Sequence, residues 1–535
     1  NYDTWRNYAS TPVRATYFAN ATPDPDSPVR NTGVASTSTI YTAEQFGFAL
    51  SQVADIRSGA ITVEHWLKER YYDALNEPVG ETPPIGAVCP AAGCTDAPAV
   101  TPSAVALTIS PNGKYFRKNG AAFNWVGCTG WLATQSLTTA QMTTFLEDQQ
   151  SRGCNVVHGP ILAGGEMLID DANGPVSDAD PYTMRTAFFA SKVDHWVSEA
   201  TRLGMNIAFP LLWGHGSKLY TDNSPTNART YANFVVDRYN DYPNIIWIVD
   251  GEYTKVTYNP TAYAANQDVL DANEMAIIDA MIAGTLANKH ADQLVTIHPD
   301  GYGSSTDTGQ LPSGRNLHTE GNIDFNTLQG YNNLLENITD TEYDSQLSPQ
   351  RPTLQMENMY EEQAGLPIDG GSVTPWHVRV AAWGSRLSGS AGYTYGHGIV
   401  WGFFSGWEGQ LADAGATDIF THFKGFWDTH HDEGLIRSRD WLTGDKGTNS
   451  IQPTLHTYMT ALRSADGSKL IVYSPQGATI HVVGTNLTGS VRARWFNPRD
   501  GGYTAISDPL TKSADNTFDP SGSPGVDNDW VLVLD

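Results

Sequence analysis

The chain has 535 residues, 40% hydrophobic and 11% aromatic, with 58 acidic against 32 basic side chains and a net charge of −26. That length suits one large domain with one or two additions, and an acidic chain without a Lys/Arg-rich run argues against nucleic acid or an anionic membrane surface as partner. No apolar stretch approaches the roughly 20 residues that cross a bilayer, which argues against membrane insertion.

Residues 1–103 are rich in Thr, Ala, Asn and Pro. Two helical patches stand out, one opening at Thr42 with an N-cap pattern and one opening at Thr62. From Glu77 to Pro102 the chain is dense in Pro, Ala and Gly and reads as a linker. The region is thin in apolar residues, so an arm is expected that packs on the next domain or supports self-association. Cys89 and Cys94 sit in one short loop where a local disulfide is an open alternative, whereas Cys128 and Cys154 read as buried free thiols. The chain begins at Asn1, which fits a processed N-terminus, and the cysteines weakly favour an extracellular or cell-surface location.

Strand-like and helix-like segments alternate over 104–450. Apolar runs cover Phe123 to Gly130, Asn155 to Leu162, Asn206 to Trp213 and Asn244 to Glu252. Four more cover Leu294 to Asp300, Phe325 to Tyr331, Thr353 to Met359 and Gly392 to Gly402. Continuous apolar runs are expected of strands buried on both faces. Amphipathic stretches at Thr138 to Arg152, Ala187 to Leu203 and Ala265 to Asn288 supply crossovers. Eight such strands predict an α/β fold, a (β/α)8 TIM barrel, although the fifth-to-sixth connection shows no convincing helix. Over 451–535 short alternating strands with Gly/Asn/Asp turns predict a C-terminal antiparallel β-sandwich. The N-terminal extension, barrel and sandwich thus make three regions.

Two acids end barrel runs: Glu252, in Val249-Asp250-Gly251-Glu252, and Glu357, in Leu354-Gln-Met-Glu357. As ends of the fourth and seventh strands, both face the C-terminal mouth where barrel enzymes keep their chemistry. A carboxylate pair in one pocket can cleave a glycosidic bond, one acid protonating the leaving oxygen and the other attacking or activating water. Asp250 is a third acid, able to support Glu252 or replace it. Trp131, Trp213, His215, His298, Gln329, Tyr395, His397 and Trp401 fall at or beyond strand ends as candidate sugar-binding residues. The glycines around His397 either admit a ligand close to the backbone or turn the chain. His430-His431-Asp432 lies on an outer helix, no metal-type cysteine spacing occurs, and neither metal nor cofactor is expected.

From about residue 105 onward the chain resembles the apiosidase-like glycoside hydrolases (glycoside hydrolase family 140). The similar stretches include Ile109-Ser-Pro-Asn-Gly-Lys-Tyr-Phe, Gly127-Cys-Thr-Gly-Trp131, Asp324-Phe-Asn-Thr-Leu-Gln329, Glu357-Asn-Met-Tyr-Glu361 and Tyr395-Gly-His-Gly-Ile-Val-Trp401. The resemblance implies a (β/α)8 barrel followed by a β-sandwich labelled as collagen-binding. It maps an acid/base onto Glu252, where the family reads Gly-Gly-Asp and this chain Asp250-Gly251-Glu252, and a nucleophile onto Glu357. The expectation is a hydrolase of plant or microbial polysaccharide, with oligo- or polysaccharide as partner. Retention is expected if the carboxylates stand about 5–5.5 Å apart and inversion if a water fits between them. A different class, a non-catalytic carbohydrate-binding surface, filament or phage-tail protein, is the competing expectation.

Overall fold

Three short antiparallel strands open the described part of the chain: β1 (Leu107–Ile109), β2 (Phe116–Lys118) and β3 (Ala121–Phe123). The computed structural model describes residues 105–162, 184–213, 224–252, 272–299, 322–330, 334–364, 371–447 and 457–535. The arm at 1–103, with its helical patches, linker and Cys89/Cys94 loop, lies outside the described residues, as does most of the fifth-to-sixth connection.

All eight expected barrel strands form. They are β4 (Trp125–Thr129), β5 (Val156–His158), β6 (Asn206–Pro210), β7 (Ile245–Gly251), β8 (Leu294–His298), β9 (Asn326–Gly330), β10 (Thr353–Asn358) and β11 (Gly392–Tyr395). Every residue in them is buried except the half-buried Leu294, as a parallel sheet covered on both faces requires. Alternation divides β7: Ile246 and Ile248 fill the barrel with Trp125, Leu354 and Met356, while Ile245, Trp247 and Val249 face the helices. Phe116 closes the lower end, its ring 5.1 Å from Phe325 and 5.4 Å from Trp125.

The parallel ladder runs β8-β7-β6-β5-β4-β11-β10-β9, so the first and eighth strands pair and the ladder stops between the fifth and sixth. Side chains reinforce that seam beside a backbone bond from the Asp324 N–H to the Val295 carbonyl at 2.8 Å. Thr296 donates its hydroxyl to the Phe325 carbonyl at 2.8 Å, Thr327 donates to Ile297, and the Val295 N–H donates to the Asp324 carboxylate at 2.7 Å. Asparagines before other strands do similar work: Asn155 accepts from Val126 N–H, and Asn244 donates to the Met205 carbonyl. Two expected amphipathic crossovers form, including the helix Thr139–Arg152 under a Thr138/Gln141 capping box, and the third is helical over its described part, Ala272–Asn288.

Cys128 and Cys154 are joined in a disulfide, which corrects the expectation of free thiols. The ladder places Cys128 opposite Val157, and the turn into β5 brings the Cys154 Cα to 6.0 Å, inside bonding range. Spacing along the chain does not reveal that cross-strand register.

The C-terminal region adds two antiparallel sheets. One contains β12 (Ile436–Arg437), β14 (Thr460–Arg463), β15 (Leu470–Ser474), β17 (Ala493–Phe496), β18 (Tyr503–Ser507) and β20 (Trp530–Leu534). The other contains β13 (Leu442–Thr443), β16 (Ile480–Val482) and β19 (Asn516–Phe518). Between barrel and sandwich lies the helix Pro375–Leu387, buried from Trp376 to its end. Trp383 stacks on Tyr473 of β15, and Arg379 makes an ion pair with Asp529 at 2.9 Å and with Asp418 at 2.7 Å. Burial opposes a charged guanidinium, but Asp529 and Asp418 more than offset it and hold the Arg379 pKa above its ordinary value. Arg379→Met is therefore expected to lower stability by about 3–5 kcal/mol, because fully buried Asp529 loses its counter-charge. Urea unfolding checks this; a loss below 1 kcal/mol would show that the joint does not depend on the pair.

Candidate active site

β7 ends under unusual local constraint. A register shift against β8 falls between Ile248 and Gly251, and Glu252 follows with φ of 53°, in the left-handed region that a side chain rarely adopts. A bulge here re-aims the next side chain, a device common beside active sites. Gly251 is bare because Trp213 lies flat on it: a Cβ there would stand 2.0 Å from the Trp213 ring. The Gly251 N–H donates to Leu212 at 3.0 Å, fixing the two strand ends together. Glu252 emerges half-buried and accepts from Gln329 Nε2 at 3.2 Å.

β10 repeats the device, with a register shift against β9 between Gln355 and Glu357. Glu357 is buried, and its Oε1 accepts the Tyr360 hydroxyl at 2.5 Å. Tyr360 in turn accepts from Trp131 Nε1 at 2.5 Å. This chain of donors holds the carboxylate in place. Burial, followed by the charges of Glu357 and Glu252, drives the Tyr360 hydroxyl well above its ordinary pKa, so it stays a donor. His298 Nε2 stands 3.3 Å from Glu357 Oε2 but off the line of a hydrogen bond. Its Nδ1 donates to the Pro299 carbonyl, so Nε2 can donate to Glu357 only in the doubly protonated ring.

Rings wall the pair. Trp131 and Trp213 meet at 4.6 Å, Trp213 and His298 at 4.8 Å, and Tyr360 and Trp401 at 6.5 Å. Of the expected sugar-binding residues, Trp131, Trp213, His298, Gln329 and Trp401 gather around the two glutamates. Tyr395 and His397 turn to other acids. Tyr395 donates to Glu361 at 2.5 Å, and His397 Nε2 donates to Asp413 at 3.0 Å. His215 lies outside the described residues.

β11 stops at Tyr395, short of Gly402. At the next residue, Gly396, a Cβ would stand 2.3 Å from the Tyr360 ring. Gly396 thus makes room for a protein side chain. Two contributors escaped sequence reading: Tyr360, and His158, which lies beneath Trp131 at 5.7 Å and bonds Thr394 through Nε2 at 3.0 Å. A tyrosine three residues beyond a strand-ending acid was the one available signal.

Glu362, His397 and Asp413 bring three potential metal-ligand atoms within 4.8 Å. The ring tautomer opposes a metal there: Nδ1 accepts the Ile399 N–H at 3.1 Å, so the ring proton sits on Nε2, the atom that would have to ligate. His430 and His431 also serve different partners, Tyr503 and Arg386.

Asp250 is fully buried, and neither carboxylate oxygen has a well-aligned partner among the described residues. Burial drives this acid well above the ordinary carboxylate range; the neighbouring Gly251 N–H opposes the shift and the Glu252 charge adds to it. The native state then binds more protons than the unfolded chain between about pH 3.9 and the raised value, so stability falls as pH rises through that window. Asp250→Asn, which mimics the protonated acid, is expected to raise Tm at pH 7 and leave it unchanged near pH 3. An equal shift at both pH values would remove protonation from the account.

Residues 110–443 match the family described as apiosidase-like, catalytic domain, and residues 449–535 match one described as "Putative collagen-binding domain of a collagenase". No curated protein matches the chain. Among solved structures, a glycoside hydrolase superposes with a TM-score of 0.67 at 21% identity, covering 81% of this chain and 97% of its own. A family 5 glycoside hydrolase from Bacteroides vulgatus gives 0.65 at 20% identity, covering 80% and 93%. Those two likenesses speak to the fold, whereas the family match spans well over half of the chain around the carboxylate-bearing strands: the protein belongs to the apiosidase-like family and is a glycoside hydrolase.

Proposed function

We propose that Glu357 is the nucleophile and Glu252 the acid/base of a retaining hydrolase of plant or microbial polysaccharide. The observation that carries this reading is the asymmetry of the two glutamates. Glu357 is buried and aimed by a phenol that can only donate to it, as a nucleophile that must approach one face of an anomeric carbon requires. Glu252 is half-buried at the strand end rather than enclosed, where a carboxyl can pass a proton first to a leaving oxygen and then from a water.

In the first step a Glu357 oxygen bonds to the anomeric carbon while the glycosidic C–O bond breaks and Glu252 gives its proton to the leaving oxygen. In the second, Glu252 takes a proton from water, whose oxygen displaces Glu357 from that carbon. Trp131, Trp213 and Trp401 offer ring faces to sugar C–H surfaces, and Gln329 and His298 offer polar partners. Asp250, buried and shifted toward its neutral form, supports Glu252 without contacting substrate. A secreted or cell-surface location is part of the proposal, supported by the Cys128–Cys154 bond, since such bonds persist in oxidising compartments.

The test is sugar release from pectic, arabinan and bacterial-surface glycans, with NMR of the anomer first released. Glu357→Gln should reduce release on the order of 10⁴-fold or more, and Glu252→Gln by roughly 10²–10⁴-fold. First-formed product of inverted configuration would sink the nucleophile assignment. No release from any glycan, with binding intact in both proteins, would favour a non-catalytic carbohydrate-binding role instead.

Tyr360→Phe keeps the ring and deletes the donor. Loss of aim should cost on the order of 10²-fold in kcat with little change in KM. Unchanged kcat would show that the hydroxyl does not position Glu357.

A further inference from the structure

A cavity of about 600 Å³ opens between the outer barrel helix Lys424–His430 and the sandwich strands β17 and β18. Its volume falls in the range of small-ligand sites, roughly 300–1,000 Å³. Its lining is unusual for this chain. Where acids outnumber bases 58 to 32 overall, the cavity gathers Lys469, Arg492 and Arg494 against Asp500 and Asp535. Asp500 is turned into its own loop, accepting from Gly502 N–H and the Asn497 amide. Asp535 is shared, 2.7 Å from Arg494 and 3.3 Å from Arg492. Arg494 Nε is buried with no acceptor among the described residues. Donors therefore outnumber the acceptors that face them.

Rings stand beside these cations. Tyr503 is 42% exposed at the rim, with Arg494 over its ring at 4.6 Å, and Phe426 and Phe496 lie deeper. Forked guanidinium donors match a carboxylate, and flat rings match a sugar's C–H face. We propose that this cavity binds a carboxylate-bearing sugar, a uronic acid unit of a polysaccharide, at a site separate from the barrel mouth. A neutral sugar leaves the cations unused, and a small inorganic anion leaves the rings and most of the volume unused. Held there, the acidic unit would tether a glycan chain to the enzyme whatever bond the barrel cuts.

The probe is trigalacturonate, titrated calorimetrically into the full chain carrying Glu357→Gln so that turnover cannot consume it. Its methyl ester and sodium sulfate serve as comparisons. Saturable binding is expected to weaken at least tenfold in the double variant Lys469→Met/Arg492→Gln and several-fold in Tyr503→Ala. All three side chains reach the surface, and unchanged Tm values would show that folding is intact. The ester should bind at least tenfold more weakly than the acid. No binding, binding unchanged in both variants, equal binding of acid and ester, or displacement by an equal concentration of sulfate would each overturn the proposal.

Discussion

The hydrogen bond from Tyr360 to Glu357 is the contact on which the site's other peculiarities depend. A carboxylate this buried needs a donor, and the phenol supplies it only where its ring can lie. That position requires a bare Gly396 just beyond the neighbouring strand and a second donor, Trp131, to satisfy the phenol oxygen. Trp131 packs on Trp213, which lies on the bare backbone of Gly251, and Gly251 carries Glu252. One path of direct contacts thus runs from the first glutamate to the second. Displacing any ring along it would move a carboxylate, because close-packed side chains have no slack to absorb the shift.

Two bulges, one before each glutamate, set this site apart from an idealised barrel. A regular parallel strand would alternate its side chains strictly between the interior and the helix layer. The bulges break that alternation at the rim, and Glu252 takes a left-handed backbone at a cost of order 1–3 kcal/mol. The rigid barrel beneath bears that cost. Its seam between the fifth and sixth strands, reinforced by threonine hydroxyls and an aspartate, shows that side chains can help complete a barrel where the ladder stops.

The sandwich joins the barrel through the helix that links β10, the strand of Glu357, to β11, the strand that Gly396 follows. Arg379 anchors that helix to the buried Asp529, and Trp383 packs it against Tyr473 and Phe496. The C-terminal region therefore braces the wall of the barrel nearest Glu357, and it brings its own cavity to the surface beside the last barrel helix.

The fold was legible in the sequence because a strand buried on both faces must be apolar throughout, a property of each segment alone. Most of the barrel runs follow from that pattern, and the sandwich strands from Leu470 to Ser474 and Trp530 to Leu534 follow from short strand-like segments between Gly/Asn/Asp turns. Acids at two strand ends were visible for the same reason, since an acid closing an apolar run has few positions it can occupy. What only the tertiary structure decided are contacts between segments far apart in the chain: Cys128 with Cys154, Tyr360 with Trp131, Tyr395 with Glu361, His397 with Asp413. These depend on register and on which way a side chain leaves a bulge, and local pattern carries neither. The glycines mark that boundary best: Gly396 read as a turn or as ligand clearance and Gly251 carried no reading of its own, but each is bare for an aromatic ring brought from a different segment of the chain.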